Sequence, residues 1–182
     1  MLDLRTAEWS LLTEVAGGVC NASPDFGGDW ITWIKSEVDG DIILARNVVT
    51  GEQRQITPSG EKHGFPATDG RHIVFSRGSG SAADIYAYDI ETGATFPAVV
   101  APGLQGNAAF QNGKLTWIDL RDSSSEVYGF TSAYYERVLP DGEEILVRPA
   151  RTPLIYGREV GKGLVWLDNR QHPPVVYAMP ER

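Results

Sequence analysis

The chain has 182 residues, 42% hydrophobic and 22% charged, with a formal net charge of −8, a balance suited to one globular domain or one compact repeat array. That acidity argues against a nucleic-acid partner, because a phosphate backbone requires a positive footprint, and the chain carries no run of Lys and Arg to supply one. The single cysteine, Cys20, excludes an internal disulfide framework, and no apolar stretch is long enough to cross a bilayer as a helix.

Residues 1–12 hold acidic residues and a tryptophan and lack the basic-then-apolar order of a secretory signal. Residues 9–15 read as an isolated strand. A short strand at 19–22 is followed by turn chemistry in Ser23-Pro24-Asp25-Phe26-Gly27-Gly28, and then by strands at 30–34, 42–47 and 53–57. These form a first four-stranded unit. The second has strands at 65–67, 72–75, 84–89 and 95–100, closed by the turns Thr68-Asp69-Gly70 and Thr92-Gly93. The third has strands at 107–110, 114–120, 126–131 and 135–139, and its Asn112-Gly113 pair is the strongest short hairpin signal in the chain. Residues 141–151 read as an insertion in which Ile145 to Arg148 form either a separate strand or an extension of the preceding unit. The fourth unit has strands at 153–157, 164–168 and 175–179, one fewer than the others. No apolar set is sustained at helical spacing over several turns.

Aromatic residues mark the period. Trp33, Phe75 and Trp117 recur at a spacing of 42, and Trp166 follows after 49. One antiparallel sheet per repeat of this length is the signature of a β-propeller, with the rings packed between adjacent blades. The units run over about residues 16–57, 58–100, 101–140 and 141–182. The fourth unit also takes in residues 1–15, whose spare strand at 9–15 is expected to complete the last blade by pairing with residues 175–179, within one chain or between two, because an unpaired sheet edge invites association.

The phrases Asp84-Ile85-Tyr86-Ala87-Tyr88-Asp89-Ile90-Glu91-Thr92-Gly93, Trp117-Ile118-Asp119-Leu120-Arg121-Asp122 and Trp166-Leu167-Asp168-Asn169-Arg170 resemble the repeats of TolB-like β-propellers. There an apolar-Trp-x-Asp-x-Arg strand end precedes an Asp-Ile-Tyr strand and an Asp-x-x-Thr-Gly turn. The likeness covers nearly the whole chain as four imperfect copies. Trp33-Ile34-Lys35 and Phe75-Ser76-Arg77 depart from it, so the Asp-x-Arg pair is present only in units three and four. The resemblance implies a non-catalytic scaffold that binds a protein or peptide, in the periplasm or outside the cell. Members of the family commonly have six or more blades, so four imply a small ring, part of a larger ring, or a ring completed by a second copy.

Catalytic patterns are weak in the sequence, and the two facing carboxylates that a propeller glycosidase needs would have to come from Asp69, Asp119 and Asp168. His63, His72 and His172 lack metal-ligand spacing, no Gly-x-Ser-x-Gly elbow occurs, and turn chemistry accounts for the Asp residues near 25–29 and 39–41 without calcium. No cofactor is expected. Asp119 with Arg121, and Asp168 with Arg170, are two apart and share a strand face. Their structural role would be to pair with each other and with blade backbone. Their functional role would be partner recognition, together with His63, Arg77 and His172 in loops at one end of the blades. The second strand's exit and the first strand's entry share that end. The competing readings are a carbohydrate-binding or carbohydrate-active propeller, with Trp30, Tyr134 and Tyr135 as stacking surfaces, and a structural module of a larger enzyme.

Overall fold

The computed structural model describes residues 2–3, 7–9, 11–13, 20–79, 82–121, 125–126, 129–130, 132–148, 154–159, 163–168 and 175–180. All regular structure among them is β. Strands β1 (Leu2–Asp3) and β2 (Glu8–Trp9) pair with each other. The first blade consists of β3 (Asn21–Gly27), β4 (Trp30–Glu37), β5 (Gly40–Asn47) and β6 (Gln53–Gln55), hydrogen-bonded in chain order. The second consists of β7 (His63–Thr68), β8 (His72–Ser79), β9 (Ala82–Asp89) and β10 (Thr95–Val99), again in chain order.

The third blade departs from the expected order. It contains β11 (Gln105–Gln111), β12 (Lys114–Asp119), β15 (Ala133–Val138) and β16 (Ile145–Arg148), while β13 (Ser125–Glu126) and β14 (Gly129–Phe130) form a separate small hairpin. The strand expected at 126–131 is therefore that hairpin, and Ile145 to Arg148 supply the outermost strand. The reason is register: β12 pairs with β15 without interruption from Lys114↔Val138 to Asp119↔Ala133, leaving β15's other edge for β16. The longer last spacing is absorbed between β12 and β15. The fourth blade consists of β17 (Leu154–Glu159), β18 (Gly163–Asp168) and β19 (Val175–Pro180). Of the segment 9–15 expected to pair with β19, residues 10, 14 and 15 lie outside the described residues, Trp9 pairs with Leu2, and residues 11–13 belong to no strand.

Each innermost strand is bulged. The register shifts between Ala22 and Asp25 in β3, Gly64 and Ala67 in β7, Gly106 and Ala109 in β11, and Leu154 and Gly157 in β17. In the first three blades the extra residue is Ser23, Phe65 or Asn107, each at φ 49°. The Ser-Pro-Asp turn expected at 23–28 is thus a bulge within a strand, which adds the local twist that an inner strand needs. Innermost strands contact their neighbours in the order β3, β7, β11, β17. Their approach is close: a Cβ on Gly27 would collide with the Thr68 carbonyl oxygen.

Two apolar layers fill the wedges. Between the first and second blades pack Trp30, Ile43, Ala45 and Ile56 with Ile73, Phe75 and Ile90. Between the second and third pack Val74, Ile85, Ala87 and Val99 with Phe110, Leu115 and Trp117. Phe75 and Trp117 therefore hold the inter-blade role expected of them. Polar bridges cross the same seams: Asp25 accepts from Thr68 N at 2.8 Å, and Asp69 accepts from Gly113 N at 2.9 Å.

Candidate functional site

Register brings His63 and Arg77 together, because β7 pairs with β8 at His63↔Arg77 and β8 with β9 at Arg77↔Asp84. The corresponding rows of the third and fourth blades are Gln105↔Asp119 and Leu154↔Asp168. Strand entry and exit therefore share one end, as expected. Arg170 and His172 lie outside the described residues.

At this end of the second blade is an open depression of about 400 Å³, lined by Glu61, Lys62, Arg77, Gly78, Asp84 and Tyr86. The Arg77 guanidinium donates through Nε and Nη2 to the two Glu61 carboxylate oxygens at 2.8 and 3.1 Å, and it lies over the Tyr86 ring at 5.3 Å. That bidentate pairing holds the Glu61 carboxyl below its ordinary pKa and raises the Arg77 guanidinium. Lys62 stands 3.5 Å from Asp41. Both charge signs and an aromatic ring thus border one concavity.

His63 supports this rim from beneath. Its side chain is 1% exposed, its ring meets Phe75 edge-on at 5.8 Å, and Nδ1 lies 2.9 Å from the Asp41 carbonyl oxygen. A carbonyl only accepts, so Nδ1 donates to it, and Nε2 lies 3.5 Å from the Glu61 carboxylate. His63 is therefore a buried residue at the start of β7 rather than a loop residue.

The Asp119–Arg121 pair is engaged internally. Asp119 is 1% exposed. Its Oδ2 accepts from Trp117 Nε1 at 2.9 Å and from Arg121 Nε and Nη2 at 2.9 and 2.6 Å, while Oδ1 accepts from Arg121 N at 2.8 Å. Burial acts to raise the Asp119 pKa, but the hydrogen bonds from Arg121 and Trp117 outweigh it and hold the carboxyl below its ordinary value. Arg121 folds back over the Tyr135 ring at 4.7 Å and donates to Glu144 at 2.9 Å. Tyr135 in turn stacks on Trp117 at 5.7 Å. These contacts fasten the end of β12 to the start of β16. Arg121 lies folded back against Tyr135 rather than extended from the loop.

The aromatic residues proposed for sugar stacking are also in use. Trp30 is 7% exposed and Tyr134 1%, and burial raises the Tyr134 phenol pKa. Asp84 and Tyr86 went unrecognised as site residues because the sequence assigns them to a blade strand. Their signal is the position of Asp84 directly across a tight hairpin from Arg77. Among the described residues no group of three or more His, Cys, Asp and Glu is placed to hold a metal ion.

No family model and no curated protein matches the chain, whereas solved structures do. It is similar to TolB from Acinetobacter baumannii at 16% identity and TM-score 0.59, covering 91% of this chain and 44% of that one. It is similar to a chain of a nidogen/laminin complex at 15% identity and TM-score 0.65, covering 98% and 66%. An oligogalacturonate lyase in complex with manganese aligns at 13% identity and TM-score 0.62, covering 100% and 53%. The chain thus spans less than two thirds of each of these, and at such identities the likeness establishes the β-propeller fold.

Proposed function

We propose that this chain is a non-catalytic β-propeller scaffold that binds a protein or peptide at the end of the blades where Glu61, Arg77, Asp84 and Tyr86 meet. The observation that carries the reading is the depression beside the Glu61–Arg77 pair, with paired charges on its rim and Tyr86 in its wall. Tyr and Arg are the side chains most enriched at binding hot spots. A peptide supplies the matching mixture: an amine or guanidinium for Asp84 and Glu61, and a carboxylate or carbonyl for Lys62 and Arg77. The likeness to a chain of a nidogen/laminin complex lends support by analogy of fold.

The carbohydrate reading draws on the likeness to the lyase, but the aromatics it would use are packed into the blades. Panning a random peptide library against the immobilised protein tests the proposal. Enriched peptides should bind the wild type and lose affinity at least tenfold, about 1.4 kcal/mol, on Asp84→Asn combined with Tyr86→Ala, at unchanged fold by circular dichroism. Peptides that bind both proteins equally would remove this site. Turnover of an oligosaccharide by the wild type would favour the carbohydrate reading instead.

A further inference from the structure

The Glu61–Arg77 pair has a third group beneath it. His63 opens β7 two residues after Glu61, and its register with Arg77 of β8 puts both side chains on one face of the sheet. The imidazole is fixed by Nδ1, which donates to the Asp41 carbonyl oxygen at 2.9 Å, and by an edge-on contact with Phe75. Its buried Nε2 has no hydrogen-bond partner among the described residues. That nitrogen nevertheless lies 3.5 Å from Glu61 Oε2, the same oxygen that accepts from Arg77 Nε at 2.8 Å.

The two protonation states of the ring make different demands on Glu61. The neutral ring, with its proton on Nδ1, turns a lone pair toward the carboxylate, and two acceptors face to face form no bond. Arg77 then holds Glu61 through both oxygens. A proton on Nε2 turns that nitrogen into a donor aimed at Oε2 and sets a positive charge in an enclosed position. A buried charge depends on its partner far more than an exposed one does. The Arg77 side chain is 45% exposed and can exchange the carboxylate for water.

The other charged groups on the elements packed against β7 have partners of their own. Asp41 of β5 lies 3.5 Å from Lys62, and Arg46 donates to the Leu12 carbonyl oxygen. On β4, Lys35 and Glu37 pair at 2.9 Å and Glu37 also accepts from Ser59, while on β3 Asp25 accepts from Thr68 N. His72, at the other end of β8, lies 3.5 Å from Asp89, and β11 carries no charged residue. Although Asp84 stands directly opposite Arg77 in the β8–β9 register, the guanidinium turns to Glu61.

We propose that His63 is the positioning residue of this pair: its protonation draws the Glu61 carboxylate to Nε2 and frees the Arg77 guanidinium for a carboxylate of a peptide ligand. Glu61 stays ionised as this happens, because the hydrogen bonds from Arg77 hold its carboxyl below the ordinary pKa and the imidazolium takes over as its partner. Acidic peptides then bind more tightly as pH falls from about 8 to about 5, the span in which imidazoles change charge. That gain rests on the peptide site proposed for this end of the blades, whereas the coupling of His63 to Arg77 belongs to the free protein.

The test is made by NMR on the ligand-free, isotope-labelled protein. The His63 ring signals should titrate between about pH 8 and about pH 5. The Arg77 Nε–H signal should follow with the same midpoint, and its order parameter should fall from about 0.85 to below about 0.6. Glu61→Gln, at a half-exposed position, should leave His63 titrating but end the correlated movement of Arg77. A His63 ring that keeps one charge state over this range overturns the proposal. So does an Arg77 signal that stays ordered as His63 titrates, whether still on Glu61 or re-paired with Asp84, or one that continues to follow His63 in the variant. Failure to find any peptide binder removes the peptide site and not this coupling.

Discussion

Trp33 and Trp117 occupy the same position in the second strands of the first and third blades, yet their surroundings differ. The Trp117 ring lies between two blades, and its N–H is bonded to a carboxylate that also binds Arg121. Trp33 is equally enclosed, at 4% exposed, but the residue two positions on is Lys35, which turns outward to Glu37 at 2.9 Å. The aromatic period thus fixes where a ring is buried. The residue two places further along decides whether that ring's polar edge is satisfied, and a buried donor without an acceptor costs about 1–3 kcal/mol.

Substitutions in either blade test this contrast. Trp117→Ala is expected to cost about 3–5 kcal/mol, through lost burial and the cavity left behind; a urea melt with an unchanged midpoint would refute the core assignment. Asp119→Ala should cost about 3 kcal/mol, because it strands the Trp117 N–H and part of the Arg121 charge. The same carboxylate sets a pH dependence. Its folded pKa lies below the unfolded one, so its contribution is present above about pH 4 and is lost as pH falls through the folded value. Asp119→Asn should flatten the acid limb of a stability-against-pH curve.

Joint Lys35→Asp and Glu37→Arg substitution transplants the third-blade arrangement into the first. It should raise stability by about 1 kcal/mol if the new carboxylate accepts from Trp33. No gain in melting temperature would mean that the acceptor does not reach. The finest comparison is Trp→Phe at each site. Both lose ring volume, but among the described residues only Trp117→Phe loses a hydrogen bond, so it should cost about 1 kcal/mol more than Trp33→Phe.

The blades were legible in the sequence because each second strand must bury one ring on one face, and the spacing of Trp33, Phe75 and Trp117 exposes that requirement directly. The strand order of the third blade was not, because residues 126–131 alternate as a strand does, and only pairing with β12 shows that Ala133 to Val138 take that place. The inner-strand bulges escaped for a related reason. Ser23-Pro24-Asp25 favours a left-handed residue in a turn and in a bulge alike. At the candidate site, the pairing of His63 with Arg77 follows from strand direction, which sequence indicates. The fate of Arg121 does not: spacing places it on the face of Asp119, but a long side chain can extend outward or fold back, and packing on Tyr135 decides.

The hairpin β13–β14 suggests a use beyond stability. It interrupts the connection between β12 and β15, yet all six paired positions of those strands keep their register. A segment uncoupled from the sheet in this way is a natural port for engineering. An epitope, a fluorophore tag or a second recognition loop carried by this hairpin would leave the six β12–β15 pairs to hold the blade's register.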